Sequence, residues 1–275
     1  MVEGCIERVP NFFDYLESGY EFTATVAVDF TMSNKAIDDP DSLHHLNPEG
    51  GFNQYEHAIQ ASCGILVNYD HDKKFSLYGY GGIPEGKEEA DHCFALTGDE
   101  TKPDVEGVEG VLSTYRASLE STKLYGPTNF ADIIKQSTTI AREARKTQYQ
   151  VLLILTDGDI TDMQQTKDAI VEAGDHPMSI VIIGVGNEDF GSMEELDADK
   201  GGLVSSSGAA ASRDLVQFIP YKQYHGNDTE LSKHILGEIP FQLLQYMCRQ
   251  GNAPPSWEGT QYKLPPGDWS LLAVQ

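Results

Sequence analysis

Two short stretches of the chain place oxygen-bearing side chains where a cation would use them. In Asp29-Phe30-Thr31-Met32-Ser33 an acid and two hydroxyls alternate, so a turn curling around an ion aims three oxygens at it. A second acid, Asp157, lies in Leu155-Thr156-Asp157-Gly158-Asp159, directly after an unbroken apolar run. Two carboxylates about 5 Å apart repel by ~3 kcal/mol at an effective dielectric near 20, so converging acids need a proton or a cation. Oxygen-only ligation is hard-cation chemistry, which favours Mg²⁺ or Mn²⁺, admits Ca²⁺, and disfavours zinc and copper. With Asp29 and Asp157 as the only charged ligands, the filled site is formally neutral. An incompletely ligated ion in such a site still accepts an acidic oxygen from outside.

The elements that position these residues are legible from patterning. Residues 22–29 are rich in β-branched and small apolar residues and read as a strand ending at Asp29. A helical pattern over 53–69, a strand over 74–79 and a short edge strand over 91–96 follow. Residues 130–145 set Ile133, Ile134, Ser137, Ile140, Ala141 and Ala144 at helical spacing. Val151–Leu155 and Ile180–Ile183 are continuous apolar runs, as expected of strands covered on both faces. Between them Met163, Thr166, Ile170 and Ala173 mark a helix capped by Thr161 or Asp162. Strand, helix and strand at this spacing form a βαβ unit. The predicted class is therefore α/β, doubly wound, with a mainly parallel sheet and helices on both faces. In such sheets ligands sit beyond the carboxyl ends of the strands, which is where Asp29 and Asp157 fall. A last amphipathic helix carries Leu231, Ile235, Ile239, Leu243 and Met247, with a kink expected at Pro240. Residues 1–20 read as a linker-like segment, 21–250 as one domain and 251–275 as a Pro- and Gly-rich tail.

Composition narrows the function classes. The formal charge is −24, from 43 acidic and 19 basic residues, so the average field repels nucleic acids and anionic headgroups. Arg142, Arg145 and Lys146 read as cations at a helix C-terminus, where they suit the negative end of the dipole. Cys5, Cys63, Cys93 and Cys248 are far apart and form no metal or redox motif. Acids scattered through the first twenty residues exclude a signal peptide there, and no apolar run is long enough to span a bilayer. A reducing, cytoplasmic setting is expected.

The alternation at Asp29, Thr31 and Ser33 resembles the metal-ion-dependent adhesion site of von Willebrand factor type A domains. Gly126-Pro127-Thr128-Asn129-Phe130 and Leu153-Ile154-Leu155-Thr156-Asp157-Gly158 stand where that family has its second and third metal loops. The surrounding sequence is similar to copines in particular: Phe13-Asp14-Tyr15-Leu16, Val26-Ala27-Val28-Asp29-Phe30-Thr31, Asp162-Met163-Gln164-Gln165-Thr166-Lys167, Pro177-Met178-Ser179-Ile180-Val181-Ile182-Ile183-Gly184-Val185-Gly186 and Glu238-Ile239-Pro240. The likeness covers roughly residues 11–250. It implies that Asp29, Thr31, Ser33, Thr128 and Asp157 hold the metal, directly or through water. It also implies a binding module whose metal takes a carboxylate from a protein partner. Copines precede this domain with two calcium-dependent phospholipid-binding modules. This chain has room for neither, so no direct membrane binding is expected of it, and its cysteines cannot build the RING finger of plant relatives.

The same residues admit other readings. A strand-end turn explains Asp29, Thr31 and Ser33 taken alone, and Thr128 taken alone reads as a helix cap. Asp159 and Asp162 read as turn and cap residues. His44 and His45, adjacent rather than a helical turn apart, read as part of a surface loop. Gly79, Gly81 and Gly82, like Gly184 and Gly186, lack the spacing and following helix of a nucleotide loop. An aspartyl-phosphate phosphatase would also place an acid at the end of the first strand beside Mg²⁺. That chemistry needs a second acid at position 31, where this chain has Thr. A structural module with a degenerate site is the third alternative.

Overall fold

The computed structural model describes residues 9–197, 202–224 and 226–257. Its strands are β1 (Glu21–Asp29), β2 (Lys74–Tyr80), β3 (Gly82–Pro84), β4 (Phe94–Ala95), β5 (Asp104–Glu106), β6 (Thr122–Leu124), β7 (Gln148–Thr156), β8 (Met178–Gly184) and β9 (Val216–Pro220). Its α-helices are α1 (Phe12–Glu17), α2 (Gln54–Leu66), α3 (Gly107–Ser121), α4 (Ala131–Glu143), α5 (Met163–Ala173), α6 (Gly191–Leu196) and α7 (Asp228–Arg249). The main sheet runs β4-β2-β1-β7-β8-β9, with β5 also on β2, while β3 and β6 pair separately. β2, β1, β7, β8 and β9 are mutually parallel, and β4 and β5 join antiparallel at the β2 edge.

Period-two alternation divides the core. Val26 and Val28 of β1 and Val151, Leu153 and Leu155 of β7 pack on the face shared with α2, α3 and α7. Ala27, Leu152, Ile154, Ile180 and Ile182 point to the other face, against α4, α5 and α6. Both runs read as two-sided strands are fully buried, and each buried Ile or Leu contributes ~1.5–3 kcal/mol. From β1 the chain first steps outward to β2 and later to the opposite side, to β7, β8 and β9. The crevice between the carboxyl ends of β1 and β7 is therefore the topological switch point, where α/β sheets bind ligands.

Several elements differ from the expectations drawn from sequence. α3 was not anticipated, although Val108, Val111, Leu112, Tyr115 and Leu119 share one helical face. β9 was not anticipated either. α7 runs as one helix through Pro240. Within the segment read as a linker, α1 buries Tyr15 completely, and Tyr15 Oη donates to the carbonyl of Asn252 at 2.7 Å. Trp257 is also buried, so the beginning of the predicted tail packs back on the domain. Residues 258–275, the rest of that tail, lie outside the described residues. Among the described residues no helix is long and apolar enough to cross a membrane, and Cys63, Cys93 and Cys248 are free thiols.

Candidate metal centre

β1 and β7 pair in register up to Val28 opposite Leu155, so Asp29 ends its strand beside Thr156 and Asp157 follows at once. Asp29 is fully buried, Asp157 is 1% exposed, Thr31 is 3% exposed, and Ser33 is exposed at the rim. The site thus descends from solvent at Ser33 to Asp29 at its floor. Asp29 Oδ1 accepts from the Thr31 backbone N–H at 2.7 Å and from Thr31 Oγ1 at 2.5 Å. Its Oδ2 accepts from Tyr80 Oη at 3.2 Å and Thr156 Oγ1 at 3.1 Å. Thr31 Oγ1 lies 2.7 Å from Ser33 Oγ, and Ser33 Oγ lies 2.8 Å from Asp157 Oδ1.

Four oxygens therefore stand in a row, Asp29 Oδ1, Thr31 Oγ1, Ser33 Oγ and Asp157 Oδ1, joined by three short contacts. The two hydroxyls supply one proton each, which satisfies two contacts and leaves the third without a hydrogen. A third positive centre is required, either a proton on a carboxyl or a cation. No Lys or Arg among the described residues pairs with either acid. Burial, followed by the charge of Asp29, pushes the Asp157 carboxyl up to about 7, and burial also raises Asp29. Both shifts favour holding a proton on the pair when no cation is present. The set of two carboxylates and two hydroxyls around this deficit suits a hard divalent ion, which would take the place of that proton. Among the described residues no group of three or more His, Cys, Asp or Glu converges, so the hydroxyls are essential to such a site.

Thr128 lies in the adjoining loop, 8% exposed and outside the Asp29-to-Asp157 chain of contacts. That loop is tied to the other two. Tyr125 N–H donates to the Phe30 carbonyl at 3.0 Å and Met32 N–H to the Tyr125 carbonyl at 2.8 Å, while Thr161 N–H donates to the Thr128 carbonyl at 2.8 Å. The helix cap expected of Thr128 comes instead from Asp162. Its two carboxylate oxygens accept from Phe130 and Ala131 N–H at 3.0 Å each, covering the start of α4. Asp162 thus caps the helix beside its own, a long-range contact with no local signal. Asp159 faces outward and accepts from Ser192 Oγ at 2.5 Å. Gly81, at φ 75°, leaves the space that Thr31 occupies, because a Cβ there would stand 2.4 Å from Thr31 Cγ2.

His44 is not part of a surface loop but fully buried beneath the site. Its Nε2 is 2.8 Å from the Asp29 carbonyl and its Nδ1 is 2.8 Å from Tyr115 Oη. A carbonyl only accepts, so Nε2 carries the proton and Nδ1 accepts from the tyrosine. Burial lowers its pKa to about 3, which keeps the ring neutral. The ring stacks on Tyr55 at 4.4 Å, and Tyr55 Oη donates to Asn34 Oδ1, whose amide reaches Asp29 Oδ1 at 3.3 Å. His45, its neighbour, is half-buried. Asn34, Tyr55, Tyr80 and Thr156 hold the site with His44, and none of these four was singled out from the sequence. Thr156, beside Asp157, and Asn34, beside Ser33, offered a local clue.

The Copine family model matches residues 42–255. The chain belongs to the copine family. It is 45% identical over 242 residues to Protein BONZAI 1 of Arabidopsis thaliana, covering 86% of this chain and 41% of that protein. To Protein BONZAI 2 of the same plant it is 43% identical over 247 residues, covering 88% and 42%. This copine chain thus spans about two fifths of the length of these relatives. Its doubly wound, mainly parallel sheet is the α/β class expected from the sequence. The crystal structure of manganese-loaded Plasmodium vivax TRAP protein covers 79% of the chain at 11% identity, with a TM-score of 0.48 and 72% of that protein covered. The manganese belongs to that protein.

Proposed function

We propose that this copine domain is a divalent-metal-dependent protein-binding module. Asp29, Thr31, Ser33, Thr128 and Asp157 would hold Mg²⁺ or Mn²⁺, with Ca²⁺ a weaker candidate, directly or through water. The ion would supply an open coordination position for an acidic residue of a partner protein. The observation that carries this reading is the missing positive centre between two buried carboxylates. Binding rather than catalysis is favoured because Thr31 occupies the place where a phosphatase of this geometry needs an acid. A cytoplasmic setting is part of the same proposal.

The test is thermal unfolding after chelation and then with Mg²⁺, Mn²⁺ or Ca²⁺, in wild type, Asp29→Ala and Asp157→Ala. At 100-fold excess over Kd a native-state ligand adds about 2.7 kcal/mol, or roughly 5–10 °C for a domain of this size. A shift of that order, absent in both variants, is expected. Identical curves with and without every ion would end the metal reading. Metal-dependent hydrolysis of a synthetic phosphate ester, lost in Asp29→Ala, would replace binding with catalysis.

A further inference from the structure

At the opposite edge of the sheet a cleft of about 650 Å³ opens between the chain entering β7 and the chain entering β8. Arg142, Arg145 and Lys146 line one wall, His176 lines the other, and Tyr20 and Tyr246 flank them. The helix α4 ends at Glu143, so only Arg142 lies in its last turn, and Arg145 and Lys146 follow its C-cap, Ala144. Arg142 and Lys146 are exposed, and neither forms an ion pair among the described residues. Arg145 donates to Glu21 at 2.6 Å, yet its side chain is 72% exposed.

The wall behind these groups is also positive. Arg213, 7% exposed, donates to the carbonyls of Gly174 and His176 at 3.1 and 2.9 Å, and its guanidinium lies 5.6 Å from the Tyr246 ring centre. Two acids oppose this charge: Glu21, already engaged by Arg145 and Gln148, and Asp175, next to His176. Glu143 faces a neighbouring depression and not this cleft. The balance is cationic, in a chain whose net charge is −24. A concave face focuses that local field, and its volume falls in the range of small-ligand sites. Planar guanidinium forks combined with an ammonium suit phosphate oxygens.

We propose that this amino-edge cleft binds a phosphorylated ligand, independently of the metal centre. The shared chemistry is a cluster of phosphate monoesters, carried either by a free small molecule or by a lipid headgroup.

The experiment uses the full chain in chelator, so that no metal at the opposite edge can hold phosphate. Inositol hexakisphosphate is titrated by calorimetry. In parallel, phosphatidylcholine vesicles with and without phosphatidylinositol 4,5-bisphosphate are sedimented with the protein. Arg142→Ala/Lys146→Ala, two exposed positions, should leave the melting temperature unchanged and weaken binding by about tenfold or more. Its salt dependence should be shallower than that of wild type. Saturation by the soluble probe assigns the site to free ligands, whereas vesicle binding alone, lost in the double variant, assigns it to a headgroup. No binding in either arm, or equal binding by wild type and the double variant, overturns the proposal.

Discussion

The two ends of the β1–β7 pair solve one problem in opposite ways. At its start Glu21, 8% exposed, is met by Arg145 at 2.6 Å, Gln148 at 3.1 Å and His71 at 3.5 Å. At its finish Asp29 and Asp157 are buried more deeply and receive only hydroxyls, amides and a phenol. Glu56, also buried, follows the first pattern, with Arg116 at 2.6 Å. Burying a charge without a counter-charge is costly, and a protein relieves it by pairing, by protonation or by a metal. At Glu21 and Glu56 this fold provides a cation from its own chain. At the carboxyl edge no Lys or Arg among the described residues does so, and the proposed metal centre rests on that asymmetry.

Four experiments would break or sharpen the contrast. The largest effect belongs to the carboxyl edge: saturating Mg²⁺ or Mn²⁺ should add about 2.7 kcal/mol in wild type and nothing in Asp157→Ala, read by thermal unfolding. His44→Phe should cost about 2 kcal/mol by leaving the Asp29 carbonyl and the Tyr115 hydroxyl without their buried partner. It should also weaken the metal response, because the Asp29 backbone loses its support; an unaltered response would detach His44 from the site. At the amino edge Arg145→Ala should cost about 1–2 kcal/mol, discounted for the exposure of the arginine, and leave the metal response intact. Loss of that response would couple the two ends and erase the distinction.

The last effect is protonic. Asp157 titrates near 7 in the metal-free fold against an ordinary value of 3.8, so the fold binds a proton that the unfolded chain releases between those limits. Metal-free stability should therefore decline as pH rises from about 4 to about 7. An ion has to displace that proton, so its affinity should fall by up to about tenfold, or ~1.4 kcal/mol, for each pH unit below 7. Calorimetry in buffers of different ionisation enthalpy would register the released proton. A pH-independent affinity between 5 and 7 would show that the carboxyls are already ionised without metal.

Much of this arrangement was legible in the residues. The apolar runs Val151–Leu155 and Ile180–Ile183 could only be central strands, because their side chains need cover on both faces. Asp29 and Asp157 follow strands, and the topology of an α/β sheet brings strand ends together. α3 was passed over although its apolar spacing is regular, and β9 was missed between two irregular segments. The assignment of His44 to a surface loop failed because adjacent histidines carry no periodicity. Its burial depends on Tyr55 and Tyr115 arriving from α2 and α3, far along the chain. Asp162 was read as a cap, but which helix it caps is decided by the approach of α4.

The chain's own pattern determined the class of the fold, the strand ends that carry oxygen-bearing side chains, and the hard-cation chemistry such a set would offer. These follow from side-chain period, local turn chemistry and donor type, which are properties of neighbours in sequence. Only the tertiary structure decided that Thr31 and Ser33 link the two carboxylates with one proton too few, that Gly81 makes room for Thr31, and that His44 supports the Asp29 backbone. It alone turned Arg142, Arg145 and Lys146 from helix-end charges into the wall of a cleft facing His176. Each of these depends on distances of a few ångströms between segments far apart in sequence, and only packing sets such distances.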